Sequence, residues 1–128
     1  MNQLDLVLTG KFSDKFSLGY NGTARTLQYD KDPKQKFWGS ALYVNYDPLS
    51  SLGLTLRGEL FDDKKNGTDG YIGTSIFATT LSADIKINGL IIIPELRLDT
   101  AKDPFFEKNS GDLTKSSASF ILAAIYAF

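Results

Sequence analysis

The sequence predicts an all-β protein, an antiparallel up-and-down transmembrane β-barrel built as one domain over residues 1–128. Apolar and polar side chains alternate along most of the chain, as they do in strands that turn one face toward an apolar phase. The connections between strands alternate between short and long. The predicted strands span about ten to seventeen residues, whereas soluble strands usually have about five or six and a tilted membrane crossing needs roughly nine to eleven. Together these observations favour a membrane barrel.

The composition excludes several classes of function. The chain has no cysteine and no histidine, which removes thiol chemistry, histidine-based catalysis and most transition-metal sites. Its 14 basic and 15 acidic side chains are balanced, so no electrostatic footprint for nucleic acid is present. No stretch approaches 18 consecutive apolar residues, the length that a transmembrane helix requires. We therefore expect no enzyme activity, no catalytic residues, no cofactor, no metal site and no nucleic-acid partner.

The first four predicted strands carry their apolar side chains at even-numbered positions. The fourth shows the cleanest alternation, with Leu52, Leu54, Leu56 and Leu60 on one face and polar residues such as Thr55 on the other. This period of two is that of a strand with one apolar face. The four strands are residues 3–12, 16–29, 36–46 and 52–61.

Three further strands follow. The fifth reverses the parity, since Phe77, Leu81 and Ile85 are odd-numbered. Asn88-Gly89 then gives the strongest hairpin signal in the chain, because this dipeptide suits a two-residue turn in which both residues have positive φ. The sixth and seventh strands return to apolar even positions. The three strands are residues 71–87, 90–100 and 116–128.

The connections alternate in length, and this pattern is typical of outer-membrane barrels, which have short periplasmic turns and longer extracellular loops. The short ones are residues 13–15, 47–51 and 88–89, and the long ones are residues 30–35, 62–70 and 101–115. We expect even-numbered positions to face lipid in every strand except the fifth, where odd-numbered positions do. Aromatic residues near strand ends would form the interfacial girdles: Trp38, Tyr46, Tyr71, Tyr126 and Phe128.

The second face of the sheet carries charges of both signs in mid-strand. These side chains would line a polar lumen, where they would either set ion preference or form a static ladder of ion pairs that fills the interior. On neighbouring strands we expect Arg97 to lie beside Asp84 or Lys86. The candidate lumen-lining residues are Arg57, Glu59, Asp84, Lys86, Glu95, Arg97 and Asp99.

One long loop is rich in oxygen ligands. Asp62, Asp63, Asn66 and Asp69 could coordinate calcium or bridge lipopolysaccharide through divalent ions. A calcium loop has tighter spacing and a terminal glutamate, which is absent here. The favoured interpretation is a solvated loop without a metal.

The last run looks like the signal that the outer-membrane assembly machinery reads, since an aromatic at the end is preceded by apolar residues at alternate positions. Its candidate residues are Phe120, Leu122, Tyr126 and Phe128. Seven strands leave two open edges, and unpaired backbone groups are costly in hydrocarbon. Bacterial single-chain barrels have an even number of strands. We therefore expect an eighth strand, produced by splitting residues 71–87 or 16–29, or pairing with upstream strands or another polypeptide, rather than an odd closure.

Three segments carry a family resemblance. Leu54-Thr55-Leu56-Arg57-Gly58-Glu59-Leu60-Phe61-Asp62-Asp63, Pro94-Glu95-Leu96-Arg97-Leu98-Asp99 and Phe105-Phe106-Glu107-Lys108-Asn109, with the closing Phe120–Phe128 run, resemble the C-terminal part of the β-barrel porin type 2 (OmpL-like) family. The resemblance covers approximately the second half of the chain, and residues 1–50 match only as generic strands. It implies a porin-like barrel of the bacterial outer membrane, a location in contact with lipid and with the barrel assembly machinery, and it carries no catalytic residues.

Three functions remain open at this point. The leading one is passive passage of small solutes through a polar, charged lumen. The second is a structural or interaction barrel with a filled lumen, acting as one part of a larger complex. The third is a soluble β-barrel that binds an apolar ligand.

Overall fold

The computed structural model describes residues 1–28, 33–67 and 72–126. Seven long strands form one sheet in the order β1-β2-β3-β4-β5-β6-β9, and every neighbouring pair is antiparallel. Two short strands pair with each other in the last connection. The strands are β1 (Asn2–Lys11), β2 (Phe16–Leu27), β3 (Gln35–Leu49), β4 (Leu52–Lys65), β5 (Ser75–Ile87), β6 (Leu90–Ala101), β7 (Phe106–Glu107), β8 (Leu113–Thr114) and β9 (Ser116–Tyr126).

The predicted all-β, up-and-down architecture is confirmed. Consecutive long strands are neighbours in the sheet. The short turns therefore lie at one end of the strands, and the long loops lie at the opposite end. The long strands have 10 to 15 residues, which is long enough to cross a bilayer at a tilt. The described residues contain no helix long and apolar enough to cross a membrane.

The two faces of the sheet differ in exposure. On one face, Leu56 lies opposite Leu81, which lies opposite Leu96, and these leucines are 49%, 51% and 47% exposed. On the other face, Ala78 and Thr80 in the middle of β5 are only 2% and 6% exposed. Side chains converge on the inner side of a curved sheet and diverge on its outer side. We infer that the polar face is concave and that the apolar face is convex.

The turn between β3 and β4 is shorter than the sequence predicts. Residues 47–51 were expected to connect the strands, but β3 continues through Asp47 and Pro48, and only Ser50 and Ser51 remain between β3 and β4. The register shifts between Tyr46 and Leu49. Proline cannot donate a hydrogen bond to a neighbouring strand, and a β-bulge tolerates it because one residue there is left out of the ladder.

The long-loop edge also differs from the prediction. β4 extends to Lys65 through residues expected in a solvated loop, and β5 begins at Ser75, four residues after the predicted start. The β4–β5 ladder reaches Asp62 and Ser75, and Asp62 accepts a hydrogen bond from Ser75 Oγ at 2.6 Å. Hairpin β7–β8 occupies part of the expected loop at 101–115.

The Asn88-Gly89 turn forms as predicted. The φ angles of the two residues are 47° and 83°, which are the left-handed values of a type I′ turn, and Ile87 pairs with Leu90 directly across it.

The sheet is open in the part of the chain that the structure describes: β1 and β9 are its two edge strands. The expected eighth strand is absent there, since Phe16–Leu27 and Ser75–Ile87 each form a single strand. The disfavoured odd closure between the first and last strands does not form either.

Candidate functional site

The ladder places charged residues of β4 and β6 in two adjacent rows on the concave face. Arg57 lies opposite Thr80, and Thr80 lies opposite Arg97. One pleat nearer the long loops, Glu59 lies opposite Ala78, and Ala78 lies opposite Asp99. The two arginines therefore form one row and the two carboxylates form the next.

These four residues form a connected ion-pair network, referred to below as the four-charge network. Arg57 Nη2 donates to Glu59 Oε1. Arg97 Nη1 donates to Glu59 Oε2 at 3.1 Å, and Arg97 Nε donates to the two Asp99 oxygens at 3.0 and 3.1 Å. Glu59 therefore binds arginines from two strands that are not neighbours in the sheet.

The contact across β5 depends on a small residue. Neighbouring strands lie about 5 Å apart, so the β4 and β6 backbones are about 10 Å apart. A long arginine and a glutamate can span that distance if the intervening side chain does not block them. Ala78 lies between Glu59 and Asp99 in the ladder and offers only a methyl group. Ala78 itself is 2% exposed.

Tyr43 extends the network to β3 and β2. The Arg57 guanidinium lies over the Tyr43 ring, and Arg57 Cζ is 5.0 Å from the ring centroid. The Tyr43 hydroxyl accepts a hydrogen bond from Asn21 Nδ2 at 2.9 Å. Polar side chains of four strands, β2, β3, β4 and β6, are thus linked on the concave face, and the link from β4 to β6 passes over β5.

The network is half-buried and formally neutral. The side chains of Glu59 and Asp99 are 19% and 15% exposed, and those of Arg57 and Arg97 are 37% and 35% exposed. Two positive and two negative charges cancel, so partial desolvation is offset by mutual pairing. The carboxylates are more enclosed than the arginines.

All seven predicted lumen-lining residues lie on one face, but the network contains only four of them. Glu95 lies opposite Ser82, Asp84 opposite Gly53, and Lys86 opposite Ile91, all nearer the short turns. The predicted contact of Arg97 with Asp84 or Lys86 is wrong, because Arg97 lies opposite Thr80. The two-residue turn fixes this register: Arg97 is seven residues after Leu90, and Thr80 is seven residues before Ile87.

Asp63 organises the base of the β4–β5 connection. Its side chain is 0% exposed. Its carboxylate accepts hydrogen bonds from Gly67 N–H at 2.6 Å and from Ile72 N–H at 3.1 Å. A side chain at position 67 would collide with the backbone of Lys36 and Phe37. The solvated-loop interpretation is therefore wrong for Asp63.

The calcium alternative finds no support in these contacts. Asp62 accepts a hydrogen bond from Ser75 Oγ and forms an ion pair with Lys64. Asp63 accepts hydrogen bonds from backbone N–H groups. Asp69 lies outside the described residues. Within the described ranges, no three residues of the types His, Cys, Asp and Glu converge on a point that could hold a metal ion.

Asp63→Ala is expected to lower the free energy of unfolding by about 1–2 kcal/mol, because buried N–H donors lose their acceptor. Amide hydrogen exchange at Gly67 and Ile72 should accelerate. Asp14→Ala is the control, since the Asp14 side chain is fully exposed. Unchanged exchange at both amides would show that Asp63 does not hold the loop.

Three of the four predicted assembly-signal residues lie on the convex face of β9. Phe120, Leu122 and Tyr126 are 68%, 63% and 62% exposed, and they lie opposite Leu96, Pro94 and Leu90 of β6. Phe128 and the predicted girdle residue Tyr71 lie outside the described residues.

Sequence reasoning missed Tyr43 and Thr80 as parts of the site, and it named Asp63 only as a possible calcium ligand or a residue of a solvated loop. The signal for Tyr43 was available, since its odd position places it on the charged face of the third strand. The burial of Asp63 was not apparent because the residue lies in a run of charged residues.

A family model described as "Putative beta-barrel porin-2, OmpL-like" matches residues 1–128. The match covers the whole chain, including the first 50 residues, so it does not confirm a position in the C-terminal part of that family. Neither the curated proteins nor the solved structures contain a match.

Proposed function

Because the chain belongs to the β-barrel porin-2, OmpL-like family, we propose that it is a porin-like barrel of the bacterial outer membrane through which small solutes pass passively. The observation that carries this proposal is the separation of the two faces. Charged side chains crowd the concave face, while leucines that are about half exposed cover the convex face. A membrane barrel needs an apolar outer band and tolerates a polar interior. The proposal assigns no catalytic role to any residue.

The partners in this proposal follow from the surface. Outer-membrane lipid covers the convex leucines. The barrel assembly machinery recognises β9 through Phe120, Leu122, Tyr126 and the closing Phe128. The outer edges of β1 and β9 are paired by further strands or by another polypeptide, since open edges are not stable in hydrocarbon.

Conductance across a planar lipid bilayer tests this function. The wild-type protein should produce discrete current steps, and Glu95→Lys should shift the reversal potential toward anion selectivity because Glu95 lies on the concave face outside the four-charge network. Leu96→Met is the control, since it changes a neighbouring residue on the convex face and adds no charge. Absence of current steps from a correctly inserted protein contradicts passive solute passage.

The second candidate is a structural or interaction barrel with a filled lumen. The specific observation in its favour is that the charges of the four-charge network neutralise one another, as in a static ladder of ion pairs. It predicts insertion into the bilayer without conductance. A soluble ligand-binding barrel, by contrast, would lack both detergent dependence and heat-modifiable migration on a gel.

A further inference from the structure

The last connection is tied to the β4–β5 connection at the rim of the sheet. Thr74 Oγ1 donates to Asp103 Oδ2 at 2.9 Å, and Lys102 N–H donates to Ser75 O at 2.8 Å. Thr74 is 3% exposed, whereas Asp103 is exposed, so the first of these bonds is partly buried. These bonds fix the start of the segment that contains hairpin β7–β8.

Hairpin β7–β8 is itself held closed. Phe106 pairs with Thr114 across it, and Phe105 N–H donates to Thr114 O at 3.0 Å. The Phe105 and Phe106 rings meet edge to face, 5.4 Å between centroids. Phe106 is half-buried and Phe105 is 41% exposed.

Phe106 and the four-charge network border the same cavity on the concave face. The cavity has a volume of about 400 Å³, within the usual range for small-molecule sites. Three charged side chains line one part and apolar side chains line another. The lining includes Glu59, Arg97 and Asp99, and Phe61, Ile72 and Phe106.

The charged part of the cavity presents more carboxylate groups than guanidinium groups. Its lining holds two carboxylates and one guanidinium. Arg57 completes the neutral four-charge network through its ion pair with Glu59, but it does not belong to this lining and lies against the Tyr43 ring. Glu59 accepts from one nitrogen of Arg57 and one of Arg97, and an ionised carboxylate has about four acceptor positions. Acceptor capacity therefore remains, and an ammonium group can use it. The aromatic and aliphatic walls suit the apolar body of such a solute.

We propose that this cavity is a binding subsite for small solutes that carry an ammonium group on an apolar body, with Phe106 contacting the body and Glu59 and Asp99 facing the charge. The position of the subsite on a solute path rests on the proposed function. Binding itself does not depend on conductance, so the two can be tested separately.

Calorimetric titration of the detergent-solubilised protein with benzylammonium tests the subsite. We expect saturable binding of benzylammonium, with benzyl alcohol and benzoate each binding at least roughly tenfold more weakly, a difference of about 1.4 kcal/mol. Equal affinity for benzoate, or no saturable binding of benzylammonium, would overturn the proposal. Binding without conductance would instead overturn passive solute passage and leave the subsite standing.

Two phenylalanines provide a matched pair of variants. Phe106→Ala should weaken benzylammonium binding roughly tenfold, whereas Phe105→Ala should leave it unchanged because Phe105 does not line the cavity. Asp99→Asn should weaken benzylammonium binding and leave benzyl alcohol unaffected. If Asp99→Asn does not fold, as judged by heat-modifiable migration, the phenylalanine pair decides alone, and equal effects of its two members would contradict the role of Phe106.

Discussion

Replacing Leu56 or Leu96 by arginine is expected to destabilise the protein in lipid by about 2–4 kcal/mol if the residue lies near the bilayer midplane. Both leucines lie on the convex face and are 49% and 47% exposed. An arginine at either position would place a charged guanidinium in the hydrocarbon layer without an ion-pair or hydrogen-bond partner. The free energy of unfolding, measured by denaturant titration in lipid vesicles, gives the result directly.

Thr55→Arg is the matched control for Leu56→Arg, because Thr55 is the preceding residue and its side chain points to the concave face. Thr55 Oγ1 donates to Asn45 Oδ1 at 2.9 Å, and the substitution removes that hydrogen bond, which is worth about 1 kcal/mol. The new arginine would point toward the face that carries Glu95. If Thr55→Arg costs as much as Leu56→Arg, the assignment of the two faces is wrong.

Replacing Arg97 by methionine is expected to lower the free energy of unfolding by about 2–3 kcal/mol, because two half-buried carboxylates lose their shared donor. Arg97 binds Asp99 and also bridges to Glu59. The Arg97 side chain is 35% exposed. The expected loss is therefore smaller than the cost of breaking a fully buried ion pair.

A double-mutant cycle isolates the bridge across β5. Arg97→Met, Glu59→Gln and the double variant should give a coupling of about 0.5–3 kcal/mol. Lys11→Met is the control, since its ion pair with Asp14 spans 3.8 Å between side chains that are 71% and 105% exposed, and such surface pairs contribute little. A coupling near zero would show that the Arg97–Glu59 contact is not energetically significant.

The strands and their faces could be predicted because apolar alternation is a local property. Leu56, Leu81 and Leu96 each lie between polar or small residues in the sequence, which predicts that they share the apolar face. In the sheet the three leucines lie opposite one another. The reversed parity of the fifth strand was equally visible in Phe77 and Leu81.

The pairing of charges required the register, and alternation alone does not supply it. For β5 and β6 the register was implicit in Asn88-Gly89, and counting seven residues from each end of the turn places Arg97 opposite Thr80. For Glu59 and Arg97, on strands that are not neighbours, the contact also required the curvature of the sheet and the small size of Ala78.

The burial of Asp63 could not be predicted from sequence for a different reason. Its burial depends on backbone N–H groups from Gly67 and Ile72, and these donors are set by the path of the loop. A run of charged residues normally indicates solvent exposure, so the local composition predicted an exposed Asp63, whereas Asp63 is buried.

The strictly sequential strand order has a kinetic consequence. Every ladder of the large sheet joins strands that are consecutive among the long strands. No strand pair therefore requires contact between segments that are far apart in the sequence. Loop closure is easiest for the β3–β4 and β5–β6 hairpins, whose turns have two residues each, and hardest for β6–β9, whose connection spans residues 102–115. Hairpins form in about 1–10 μs when the loop is short, and longer loops close at a greater entropic cost. The earliest protection of backbone amides from hydrogen exchange should therefore arise around these two turns and spread outward strand by strand.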